Sequence, residues 1–213
     1  MKGGSGWTVV EMLAAMTCSL LILAALGGFV RGQTRFLDRE TRRLALRESC
    51  RRVLDMVARE VRAAGYEPVS GTFDGAADGL AIAARDRIEL RSDLHGSSAT
   101  DQPDGILDVD SDERIGFFLN PARGQVSETV GRQTLPLTLD FSVPAGGFEL
   151  RYLDACGAEI AATSGSSLTA VERARVRSVA ARLNVTQPGV GGVSADIVST
   201  LRNREVLRCE ATE

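Results

Sequence analysis

From Met12 to Val30 the chain carries no charged residue. Those 19 positions make about 28 Å of helix at ~1.5 Å per residue, close to the roughly 30 Å hydrocarbon core of a bilayer. A buried core helix rarely needs such length without a polar face. A secretory signal has a shorter core of about 7–15 apolar residues, followed by a small-residue cleavage site. Here RGQTRF follows Val30 instead. The run therefore predicts a membrane-spanning helix, and an uncleaved signal anchor is one form it can take. One carboxylate, Glu11, stands just before it. At the centre of a span a carboxylate costs about 2.5–3.5 kcal/mol, and less near an end, where it still wants a partner.

The flanking charges favour one orientation. Only Lys2, the single lysine, and the amino terminus precede the run, whereas Arg31, Arg35, Arg39, Arg42 and Arg43 follow it. Counting Lys and Arg near the ends places the C-terminal side in the cytoplasm.

Beyond the span the helical pattern changes character. Leu46, Cys50, Val53, Leu54, Val57 and Val61 recur at steps of three and four, which puts them on one face. Arg47, Glu48, Arg51, Arg52, Arg59 and Glu60 fall mainly elsewhere. Gly65 and then Pro68 give a stop signal. The spacing predicts one helix from about Trp7 to Ala64, apolar all round in its first half and amphipathic in its second. Gly27 and Gly28 either soften it or let neighbouring helices approach closely.

The remainder reads as β-rich. Residues 69–79 read as a loop. Strands are predicted within Leu80–Leu94, over Ile115–Leu119, Leu135–Val143 (LPLTLDFSV), Phe148–Leu153, Ala158–Ala161 and Val176–Val185. DACG, Asp154 to Gly157, suits a turn, and Ser167–Arg173 a short helix or turn. The glycine-rich QPGVGGVSAD reads as a loop, and Ile197–Cys209 closes the sheet. A long helix followed by antiparallel strands predicts an α+β fold, with the amphipathic half covering one sheet face.

Composition excludes little. The 213 residues are 44% hydrophobic and 25% charged, with a formal net charge of −3, which offers no global case for nucleic-acid binding. Cys18, Cys50, Cys156 and Cys209 form no CxxC pair. Cys18 lies in the apolar run and reads as a small hydrophobe. A Cys156–Cys209 disulfide is compatible with an oxidising compartment. The sole histidine, His95, gives no catalytic constellation, and GVGGVS misses the GxGxxG spacing.

Gly6, Trp7, Thr8, Val9, Val10, Glu11 and Met12 resemble the processing site of type IV prepilins and pseudopilins. In that family a short leader ends in glycine, an aromatic residue opens the mature chain, and a glutamate stands at its fifth place. An apolar helix and a periplasmic α+β domain follow. Trp7 departs from the usual phenylalanine but keeps a large aromatic. The resemblance implies cleavage between Gly6 and Trp7 by a prepilin peptidase and N-methylation of Trp7. It also implies that Glu11 pairs with the freed amino group of a neighbouring subunit. Three further segments, Ala58–Tyr66, Arg87–Leu119 and Phe148–Gly157, are similar to PilW-type minor pilins and to the J-type minor pseudopilin of type II secretion.

The resemblance thus implies a leader over 1–6, a transmembrane and filament-core half-helix over 7–30, an amphipathic half over 31–66 and a β-rich periplasmic domain over 67–213. It implies a structural, non-enzymatic subunit. Its surroundings would be the bacterial inner membrane, other major and minor pilins or pseudopilins, and an inner-membrane assembly platform. Its topology contradicts the arginine count. The alternative is an unprocessed single-pass membrane-anchored binding or sensor module.

One further motif bears on cofactors. Asp108, Asp110 and Asp112, in DVDSDE, have the spacing that opens an EF-hand calcium loop. Glu113 then replaces the turn glycine, and Leu119 stands where a bidentate glutamate belongs. Asp93, Asp101 and Asp104 are nearby. A solvated acidic loop is the favoured reading, and a Ca²⁺ site is the alternative.

Overall fold

Helix α1 spans Val9–Ala63, within two residues of the predicted ends. It is seen in a computed structural model, which describes residues 8–69, 71–96, 102–108, 110–163 and 165–201. The chain divides into two units, Met1–Leu44 and Ala45–Glu213, and α1 contributes to both.

In the first unit no described residue is buried. The helix is long and apolar enough to cross a membrane, and none of its apolar window is covered by protein. Its few polar side chains are satisfied locally. The Thr17 hydroxyl donates to the carbonyls of Leu13 and Ala14, and that of Ser19 donates to Ala15. Such back-bonding is what an apolar medium demands of a hydroxyl.

In the second unit the predicted face of α1 is the buried one: Leu46, Cys50, Val53, Leu54, Val57 and Val61, joined by Ala58. Gly65 ends the helix with φ of +74°, and a Cβ there would strike the Gly75 carbonyl. Only glycine meets both demands. The expected loop over 69–79 contains a single helical turn, α2 (Gly75–Asp78).

Two antiparallel sheets follow, where the patterning predicts one. The first is a meander of β1 (Leu80–Ala83), β2 (Arg87–Arg91), β3 (Arg114–Asn120), β4 (Gln125–Val130) and β5 (Gln133–Pro136). The second contains β6 (Phe148–Leu153), β7 (Glu159–Ile160), β8 (Ser178–Gln187) and β9 (Gly191–Thr200), in the order β7-β6-β8-β9. The short helix α3 (Ala170–Arg175) precedes β8.

Several expectations need correction. Leu80–Leu94 holds a hairpin rather than one strand, because the chain reverses at 84–86, where Ala84 N–H donates to Arg87 O. Strand β4, and with it the β4–β5 hairpin, is an addition to the predicted strands. LPLTLDFSV is not a strand beyond Pro136. One more ladder bond forms, from Leu137 N–H to Val126 O at 2.9 Å, and then the Thr138 hydroxyl takes the Val126 N–H at 2.9 Å, and the chain there crosses between sheets. Leu135 and Leu139 are exposed while Thr138, Phe141 and Val143 are buried. The glycine-rich stretch is mostly strand. Positive φ at Gly189 and Gly191 makes the turn, and β9 starts within the run and pairs with β8 along its length. The part of Ile197–Cys209 after Leu201 lies outside the described residues.

One hydrophobic cluster joins Leu54, Val57 and Val61 of α1 with Ile88 and Phe117 of the first sheet and Phe148, Tyr152 and Leu183 of the second. Tyr152 is fully buried, and its hydroxyl donates to Ala84 O at 2.7 Å, tying β6 to the end of β1. Burial pushes the Tyr152 phenol well above its usual pKa.

Candidate membrane and assembly segment

The carboxylate at the head of the apolar helix is not isolated. Glu11 Oε2 accepts hydrogen bonds from the Thr8 backbone N–H (2.9 Å) and the Thr8 hydroxyl (3.0 Å). The Thr8 hydroxyl in turn accepts from the Glu11 N–H at 3.3 Å. This is a capping box, in which an N-cap threonine and a glutamate three residues on satisfy each other's orphan donors. The signal T-x-x-E before an apolar run is plain in the sequence, and reading Glu11 only as a future ion-pair partner misses it.

A second copy of the arrangement shows what it can do alone. At α3, Thr169 and Glu172 form the same box, with bonds of 2.8, 2.8 and 3.3 Å. The Thr169 backbone bond, then its hydroxyl, lowers the pKa of Glu172. In both places the motif ends a run of unpaired N–H groups and puts negative charge at the positive end of a helix. The position of Glu11 therefore has a local cause that needs no neighbouring subunit. Gly6 and Trp7 lie outside the described residues.

The acidic loop is organised by its own backbone. Glu113, fully buried between Asp112 and β3, binds three N–H groups. Its Oε1 accepts from Leu94 (2.9 Å) and His95 (3.0 Å), and its Oε2 accepts from Asp108 (2.6 Å). The residue that spoils the EF-hand pattern is the one that holds the loop. Asp108 Oδ1 accepts from Asp110 N–H at 3.0 Å. Asp110 takes a two-pronged pair from Arg132, both arms at 2.6 Å. Asp112 lies 2.6 Å from His95 Nε2. Asp93 Oδ2 accepts from Gly105 and Asp104 Oδ1 from Ile106, and Asp101 lies outside the described residues. Among the described residues no group of three or more His, Cys, Asp or Glu side chains is placed to hold a metal.

His95 gives this loop a pH response. Its Nε2 faces Asp112, and its Nδ1 is 3.1 Å from Gly96 O. Two acceptors suit the doubly protonated ring. The Asp112 bond first, then the Gly96 carbonyl, raise the His95 pKa above its usual value. A raised folded pKa means the stabilisation is complete below the unfolded value, about 6.5, and fades as pH rises through the folded one. His95→Gln should therefore lower the melting temperature most near pH 6 and least near pH 8.5, roughly. A deficit independent of pH would show that the ring is not charged in the fold.

The described cysteines fall into three environments. Cys18 is an exposed free thiol on the apolar helix, and Cys50 is a free thiol buried in the core. Burial pushes Cys50 up to about 11. Cys156, in the turn after β6, is disulfide-bonded. Cys209 lies outside the described residues.

The segments Ala58–Tyr66, Arg87–Leu119 and Phe148–Gly157 fall at the end of α1, along β2, the acidic loop and β3, and along β6 and its turn. Compared with known proteins, the chain matches no family model and no curated protein. Among solved structures it is similar to a type IV-like pilin from Thermus thermophilus, with 15% identity and a TM-score of 0.48. That likeness covers 76% of this chain and 97% of the other.

Proposed function

We propose that this chain is a minor pilin or pseudopilin, of the PilW or J type, that primes or caps a type IV pilus or type II secretion pseudopilus. A prepilin peptidase cuts it between Gly6 and Trp7 and methylates Trp7. It is held in the bacterial inner membrane by α1, with Ala45–Glu213 in the periplasm. Through α1 it then packs with other pilins on an assembly platform. One observation carries the reading. GWTVVE leads into a helix whose charge-free run is apolar and uncovered on every side, and that helix continues into the core of an antiparallel β unit. A helix of this kind is unsatisfied until lipid or other helices surround it.

The bonded state of Cys156 favours an oxidising compartment for the second unit, and we propose Cys209 as its partner. This supports a periplasmic C-terminal side against the arginine count. The acidic loop serves as an internally bonded cap rather than a calcium site. Added Ca²⁺ should then leave its melting temperature unchanged, since a ligand stabilises only what it binds.

The second reading, an unprocessed membrane-anchored sensor, is favoured by the capping box, which explains Glu11 within one chain. Mass spectrometry of the native N-terminus separates the two. The pilin reading expects a chain that begins at N-methylated Trp7. A chain beginning at Met1, in cells with an active prepilin peptidase, would sink it.

A further inference from the structure

Arg31 is the first residue after the apolar run, and Arg35 and Arg39 follow at steps of four. At about 3.6 residues per turn, the three fall within an arc of roughly 80° on one helix face. All three are exposed, and among the described residues none has a carboxylate within ion-pair distance. Arg42 shares the arc but is already paired with Asp38 at 2.9 Å. The stripe lies wholly within the unit Met1–Leu44.

Helix geometry aims these side chains. Every Cα–Cβ bond tilts toward the helix N-terminus, and the N-terminal side of this stripe is the apolar span. At ~1.5 Å per residue, Arg31 and Arg35 lie within about 8 Å of Val30, and a headgroup layer is roughly 5–8 Å thick. Arg39 lies about 14 Å out and leans back on a long, flexible stem. The planar guanidinium fork grips two phosphate oxygens at once, which a lysine ammonium cannot do.

We propose that Arg31, Arg35 and Arg39 form a binding face for the phosphates of anionic phospholipids, in the leaflet from which α1 emerges. The inference rests on the reading that Met12–Val30 spans a bilayer. Lipid is the occupant favoured here because the stripe is continuous with the span and begins at the residue that follows it. An acidic face on a neighbouring subunit would need no such register.

The test uses the purified full chain in phosphatidylcholine vesicles containing a minority of phosphatidylglycerol. Spin-labelled lipids of each kind report which one is held at the protein surface. Carbonate extraction is run in parallel. We expect a preference of roughly threefold or more for phosphatidylglycerol, since each arginine near a surface attracts anionic lipid independently. It should shrink at high salt. The combined Arg31→Gln, Arg35→Gln and Arg39→Gln variant should lose it, and the matching lysine variant should keep part of it. A carbonate-extractable wild-type chain would overturn the span reading and this proposal with it. A carbonate-resistant chain without lipid preference overturns the proposal alone. So does a glutamine variant that keeps the preference, or one that loses only its binding to a partner subunit.

Discussion

Glu113→Ala should destabilise the β-rich unit by about 3–5 kcal/mol. The side chain is fully buried, and it is the acceptor for the N–H groups of Leu94, His95 and Asp108. Alanine leaves all three without that acceptor. Each buried donor left unsatisfied costs roughly 1–3 kcal/mol, and bonds to a charged group lie at the upper end. Water entering from the loop side offsets part of the sum, hence the lower estimate. Glu113→Gln should cost less, because one amide oxygen still accepts while the NH₂ opposes a backbone N–H. Urea denaturation of the detergent-solubilised chain measures both. A loss below about 1 kcal/mol for alanine would mean that the three donors have other acceptors.

The second large effect separates two roles for Glu11. Thr8→Ala removes the capping hydroxyl, which costs the helix end about 0.5–2 kcal/mol, but leaves the carboxylate in place. Glu11→Ala removes the carboxylate and its two bonds to Thr8 but leaves the Thr8 hydroxyl to cap the backbone N–H of residue 11. If the carboxylate pairs with a neighbour's freed amine, Glu11→Ala should cut incorporation into filaments about tenfold or more, the equivalent of roughly 1.4 kcal/mol. Thr8→Ala should then stay within about threefold of wild type. Peptidase cleavage should be intact in both, as judged by the mass of the processed chain. Equal losses in the two variants would assign Glu11 to capping alone.

The two carboxylates mark the line between what is legible in residues and what is not. The box at Glu11 was legible, because both partners lie three positions apart and their spacing is a known signature. The role of Glu113 was not legible. Its donors at Leu94 and His95 lie 19 and 18 residues away, and the short-range pattern DVDSDE points to a different chemistry. The same contrast governs the strands. Phe148–Leu153 was found at both ends because its alternation matches its burial. LPLTLDFSV alternates just as well, yet it is irregular past Pro136, since the Thr138 hydroxyl takes the Val126 N–H and the chain crosses between sheets, and both outweigh side-chain period.

What the sequence determined alone is what local spacing and solvent preference decide. It set a charge-free run long enough for a bilayer, the amphipathic face from Leu46 to Val61, the helix stop at Gly65, and an α+β order of elements. These follow from 3.6-residue periodicity, hydrophobicity and the conformational freedom of glycine, none of which needs a distant partner. Only the tertiary structure decided that the strands form two sheets, and that Tyr152 ties one to the other through the Ala84 carbonyl. It alone showed that Asp110 and Asp112 are engaged by Arg132 and His95. Those outcomes depend on groups far apart in the chain, and the fold decides them by which pairs it can bring within hydrogen-bond distance.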